Sequence, residues 1–78
     1  MHHHTARSYV RLRQAGARIQ ERIRLPDGKR IIVLATRSGQ LYAGPAGAHK
    51  TANVFVPVPR DALLDPDLGD RIREGAQP

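Results

Sequence analysis

The residues of this chain best suited to chemistry are basic side chains at alternating positions, and that chemistry is anion recognition. Arg18, Gln20, Arg22 and Arg24 recur every second residue, the spacing that places side chains on one face of a β-strand. Arg11 and Arg13 continue the row from the preceding segment. A guanidinium is planar and permanently charged, with five donors in a fork that matches phosphate and carboxylate oxygens. A plane of such groups suits the phosphates of a nucleic acid backbone, each contact adding a salt-dependent increment of affinity. Lys50, in a glycine-rich loop, is an auxiliary. The expected nucleic-acid-binding residues are therefore Arg11, Arg13, Arg18, Arg22, Arg24 and Lys50, acting as positioning contacts and not as base readers. Two competing explanations are an acidic protein surface as the partner and an ordinary solvated face. The 11 Arg against 2 Lys also accord with a GC-rich genome.

Other chemistries have less to stand on. Gly44–Thr51 comes near a phosphate-binding loop of the pattern Gly, four residues, Gly-Lys-Thr. His49 occupies the second glycine position, where a side chain obstructs the wrapping of backbone N–H groups around phosphate. The segment after this loop, Val54–Val58, also reads as strand and not as the helix such a loop requires. His2-His3-His4 sit together near the chain start without the fixed geometry and outer partners of a metal site. Asp61, Asp65, Asp67 and Asp70 fit helix caps and solvent better than a cation site. Ser8 and Ser38 have no base at a telling spacing. No catalytic, cofactor-binding or metal-binding residue is assigned, and the expectation is a protein that is not an enzyme. The only rings are Tyr9, Tyr42 and Phe55. A small core needs one or two of them, which leaves too few for stacking single-stranded bases. A duplex contacted through its backbone is the expected nucleic acid.

These side chains need elements to hold them. Leu25-Pro26-Asp27-Gly28-Lys29 carries hairpin turn chemistry, with Pro at the first corner and Asp-Gly after it. Arg30–Thr36 is β-branched and continuous, the pattern of a buried strand. A hairpin needs a strand on both sides, so residues 17–25 are read as strand. Ala17, Ile19, Ile23 and Leu25 would then alternate with the basic row, Glu21 interrupting the apolar face, and Ala15-Gly16 would be a bend or bulge. The alternative is a helix over residues 8–24, because Tyr9, Leu12, Ile19 and Ile23 also fit helical spacing. Arg37-Ser38-Gly39-Gln40 is a second turn, and Leu41-Tyr42-Ala43 a short strand. Asn53–Val58 alternates Val54, Val56 and Val58 against Phe55, with Pro57 marking an edge position. Asp65-Pro66 looks like a helix cap and first turn, with Leu64, Leu68 and Ile72 on one face. A turn at Gly69-Asp70 leading to a last short strand competes with that helix. The predicted fold is mainly β: a small meander or barrel of three to five strands with a short C-terminal helix, the alternative being α+β with the N-terminal helix. The single domain spans residues 8–75, with disordered ends at 1–7 and 76–78.

Composition bounds the rest. In 78 residues there are 18 Val, Ile, Leu and Phe and no cysteine. A core that small is marginal without a disulfide or metal staple, so a partner or a homo-oligomer is the expected support. The net charge of +6 is unevenly spread: residues 1–50 sum to +8 and residues 51–78 to −2. A positive field of that kind attracts polyanions. No apolar run is long enough for a bilayer, and no export signal is visible. That points to a protein of the cytoplasm, or one carried in a phage particle, and not a secreted one. The competing functional class is a protein–protein or assembly module, such as a phage or plasmid accessory protein that docks on or inhibits a larger partner. Val58-Pro59-Arg60-Asp61 and, downstream, Gly69-Asp70-Arg71-Ile72 resemble the swapped-hairpin antitoxins and transition-state regulators. The resemblance covers residues 58–72 at a shorter spacing than theirs, and it implies a strand after Gly69-Asp70 and dimeric DNA binding.

Overall fold

A computed structural model describes residues 6–46 and 54–76. Five antiparallel strands form one sheet: β1 (Arg7–Ser8), β2 (Arg18–Arg24), β3 (Arg30–Ala35), β4 (Leu41–Pro45) and β5 (Val54–Val58), in the spatial order β1-β5-β4-β3-β2. β1 and β2 end the sheet and do not pair with each other, so it is an open meander and not a closed barrel. Helix α1 (Tyr9–Gln14) covers one face. A 3-10 helix (Arg60–Leu64) and helix α2 (Leu68–Ala76) cover the other.

Two of the connections are the same device. Leu25 N–H donates to the Lys29 carbonyl (2.8 Å) and Gly28 N–H to the Leu25 carbonyl (2.9 Å). Thr36 N–H donates to the Gln40 carbonyl (2.9 Å) and Gly39 N–H to the Thr36 carbonyl (2.9 Å). Gly28 and Gly39 take φ values of +92° and +93°. Each hairpin is thus a three-residue loop whose last residue is left-handed, a conformation glycine adopts without a Cβ clash. In the first loop the Asp27 carboxylate accepts from Lys29 N–H at 2.9 Å.

Strand alternation supplies each face with its own apolar set. Val33, Leu41, Ala43, Val56 and Val58 meet Ala62, Leu63, Leu68 and Ile72 beneath α2. Leu34, Tyr42 and Phe55 meet Leu12 and Ala17 beneath α1. Phe55, Leu34, Leu68, Val33 and Val58 are the largest fully buried side chains, each burial being worth roughly 1.5–3 kcal/mol. Gly44 makes room for Phe55: a Cβ at position 44 would lie 2.5 Å from Phe55 Cδ1. The first residue of the phosphate-loop-like run therefore belongs to β4 and receives a core ring. Pro57 pairs with Tyr42, while β1 reaches only Val54 and Phe55. Position 57 thus has a strand on one side alone, as the missing N–H requires.

Four expectations need correction. The strand read over 17–25 is present as β2 (Arg18–Arg24), and of the alternative helix over 8–24 only Tyr9–Gln14 forms. That helix starts at a Ser8 cap, whose Oγ accepts from Arg11 N–H at 3.1 Å, and ends at the Ala15-Gly16 bend, after which the chain is strand. Second, α2 begins at Leu68 and not at Asp65-Pro66, because Asp65 closes the 3-10 helix. Leu64 consequently stands 88% exposed instead of on the helix face with Leu68 and Ile72. Third, Gly69–Ile72 lies within that helix, so the strand implied by the swapped-hairpin resemblance is absent. Fourth, the domain takes in Arg7, paired with Phe55 in β1, and α2 runs to Ala76.

Candidate nucleic-acid interface

Five of the six expected contacts lie in the described part of the chain. Lys50 lies outside it, as do His2–His4 and His49. Arg11 and Arg13 project from α1, and Arg18, Arg22 and Arg24 from β2, all exposed. They do not form one row. The register of β2 on β3 shifts between Ile19 and Glu21, a bulge that leaves Gln20 as the extra residue. A one-residue insertion sends every later side chain of the strand to the opposite face.

Pairing partners identify the faces. Arg22 lies opposite Ile32 and Arg24 opposite Arg30, and Ile32 packs with the cluster under α1. Arg18 lies opposite Ala35, which packs with the cluster under α2. Arg18 is therefore on the other face from Arg22 and Arg24, at the far end of the strand. The bulge also explains the interruption at Glu21. Ala17 packs beneath α1, whereas Ile23 and Leu25 pack beneath α2. Glu21 sits opposite Val33 on the α2 side.

Two clusters result. The first surrounds the turn end of the β2–β3 hairpin, where Arg22, Arg24 and Arg30 border one depression with Ile32 and Ala46. Arg24 and Arg30 are direct cross-strand partners, and like charges so placed repel. The second is an open cleft of about 540 Å³ at the other end of β2, bordered by Arg13, Arg18 and Arg37 together with Gly16, Gln20 and Thr36. Arg13 is held in place: Nη1 donates to Tyr9 Oη at 3.0 Å, and its Cζ lies 5.8 Å from the Tyr9 ring centroid. Tyr9 leans in turn on Phe55, centroid to centroid 5.7 Å. Arg30 and Arg37 border these two depressions, and the sequence pattern did not single them out. Arg30 was legible, because the turn that closes Leu25 on Lys29 pairs 24 with 30 next. Arg37 read only as a turn residue.

The acidic groups lie elsewhere. Asp61, Asp65, Asp67, Asp70 and Glu74 belong to the segment that covers the opposite face, Asp27 to a turn, and Glu21 to β2, where it lies on the α2 side opposite Val33. Their arginine partners are local: Arg71 reaches Asp65 (3.6 Å) and Arg73 reaches Asp70 (2.8 Å). Among the described residues no ion pair involves Arg11, Arg13, Arg18, Arg22, Arg24, Arg30 or Arg37. On the sheet itself, Arg22, Arg24 and Arg30 lie on the acid-free α1 side, whereas Arg18 shares the α2 side with Glu21. No group of three or more His, Asp or Glu that could hold a metal ion is present among the described residues. No described helix is long and apolar enough to cross a membrane. No family model matches the chain, and neither a curated protein nor a solved structure does.

Proposed function

We propose that this chain is a small non-enzymatic binding module that grips the backbone of duplex nucleic acid with arginines on the α1 side of its sheet and at the adjoining cleft. The observation that carries this reading is the Arg24–Arg30 pair on a face without acidic side chains. A fold gains nothing from two guanidinium groups placed opposite each other, whereas a phosphate between them relieves the repulsion and takes donors from both. Arg22 shares that depression, and Arg11 and Arg13 project from α1, which covers the same face of the sheet, each a contact that fixes position without reading bases. The rings support a duplex over single strands. Phe55 and Tyr42 are buried and Tyr9 rests on Phe55, which leaves no stacking platform among the described residues. A place in the cytoplasm or a phage particle accompanies this reading.

The test is binding to random-sequence duplex DNA over a salt series. Micromolar binding at low salt should fall steeply as salt rises. Replacing Arg22, Arg24 and Arg30 together by Ala should flatten the logarithmic slope by about three, one unit per lost phosphate contact. No binding at low salt would sink the reading. A second reading, docking on an acidic protein surface, rests on β2, an exposed edge strand of seven residues whose outer side carries no strand among the described residues. It predicts binding to acidic peptides that outlasts excess DNA competitor.

A further inference from the structure

We infer that the cleft between the α1–β2 bend and the β3–β4 turn is a built phosphate site, with Arg37 as its principal ligand and Arg13 and Arg18 completing it. The inference rests on the nucleic-acid reading for its natural ligand, a backbone phosphate, but the site itself stands on local geometry.

That geometry begins at Gly16. Its φ is +97°, and a Cβ there would lie 2.6 Å from Arg37 Nε and 3.3 Å from Cζ. The guanidinium of Arg37 thus lies against the bare backbone of the bend, a position any side chain at 16 would deny it. The contact joins the bend after α1 to the side chain of the turn between β3 and β4. The usual reason to seat a guanidinium on backbone is a hydrogen bond or an ion pair, and among the described residues Arg37 has neither. Its donors are left for the cleft.

The neighbouring groups fit the same ligand. Arg13 enters the cleft already oriented by the Tyr9 hydroxyl and ring, so one long side chain is ordered before binding. Arg18 borders the cleft from the start of β2 because the bulge at Gln20 separates it from Arg22. No carboxylate borders the cleft. Thr36 and Ser38 are not competing ligands, since their hydroxyls hydrogen-bond each other at 3.0 Å and Thr36 Oγ1 accepts from Gln40 N–H at 3.1 Å. Three arginines bordering one cleft from three segments, Arg13 oriented by Tyr9 and Arg37 seated against Gly16, give directional donors to a tetrahedral oxyanion. A diffuse surface charge would need no such seating.

The test has two arms on the intact chain. In the first, the arginine Nε–H resonances are tracked while inorganic phosphate replaces chloride at constant ionic strength. Selective shifts of Arg13, Arg18 and Arg37, with Arg60 unmoved, are expected. Shifts of equal size at Arg60 would overturn the inference. In the second arm, duplex binding is compared for the parent, Arg37→Ala and Arg37→Lys. Lys keeps the charge and loses the fork, so both variants should weaken binding by about tenfold, the scale of a charge-assisted hydrogen bond. If Arg37→Lys binds like the parent, Arg37 is a point charge and the built site is refuted while the nucleic-acid reading survives. If phosphate shifts the three arginines but no duplex binds, the site stands, its ligand is a small phosphate compound, and the nucleic-acid reading fails.

Discussion

Replacing Arg24 by Gln should make the fold more stable and the binding weaker. Arg24 and Arg30 are direct partners across β2 and β3. Two unit charges about 6 Å apart in water repel by about 0.7 kcal/mol. A Debye length of about 8 Å at physiological salt cuts that to about 0.3 kcal/mol. Arg24→Gln removes the repulsion and keeps most of the stem. For a domain of this size the gain corresponds to a Tm increase of about 3–5 °C at low salt, falling to about 2 °C at physiological salt. Binding moves the other way: one phosphate contact fewer should lower the slope of log affinity against log salt by about 0.9. The assays are thermal melts at two salt concentrations and duplex titrations over a salt series. Arg60→Gln, on the far side of the sheet, is the control that should change neither. Arg24→Gln/Arg30→Gln should be no more stable than either single variant by more than a few tenths of a kcal/mol, since one substitution already removes the repulsive pair. If Arg24→Gln lowers the low-salt Tm, the facing arginines are not in conflict and the principal support for an anion between them is lost.

Other substitutions probe the frame that holds the arginines. Gly44→Ala would drive a methyl into the fully buried Phe55 ring, 2.5 Å away at its nearest atom, and should cost about 1–3 kcal/mol by overpacking; a lowered denaturant midpoint with unchanged m-value is the readout. Gly28→Ala and Gly39→Ala meet no atom within 4 Å, so only left-handed strain applies, about 1–2 kcal/mol, with duplex affinity of the folded protein unchanged. Leu68→Ala, at the fully buried first residue of α2, should cost about 2–5 kcal/mol, enough to leave a domain this small substantially unfolded in circular dichroism at 37 °C. Tyr9→Phe removes the hydroxyl that accepts from Arg13; stability should change by less than about 1 kcal/mol, while duplex binding weakens as Arg13 loses its fixed orientation.

The parts of this fold visible in the sequence are those governed by local chemistry. Pro26-Asp27-Gly28 and Ser38-Gly39 announce their turns because only certain residues accept those backbone angles. The run Arg30–Ala35 could be little but a strand buried on both faces, and Val56 and Val58 against Phe55 show their alternation directly. The bulge at Gln20 was not legible. It is a relation between β2 and β3, and its sole trace in the sequence is Glu21 standing where an apolar residue was due. That one residue divides the arginine row, placing Arg18 in the cleft and Arg22 with Arg24 at the hairpin end. Helix α1 was obscured for a different reason. Six residues are too few for helical periodicity to outweigh the alternation that also runs through Arg11 and Arg13. It holds through the Ser8 cap and through burial of Leu12 with Tyr42 and Phe55, contacts distant in the chain. The seating of Arg37 on Gly16 joins residues from two turns and leaves no mark in either one.

The central claim is that one side of the sheet and its adjoining cleft face the nucleic acid, and amide chemical-shift mapping with a short random duplex at low salt tests it most directly. Perturbations are predicted at Arg11, Arg13, Arg18, Arg22, Arg24, Arg30 and Arg37, with the 3-10 helix and α2 silent. Perturbations centred on residues 60–76, or spread evenly over both faces, would contradict it.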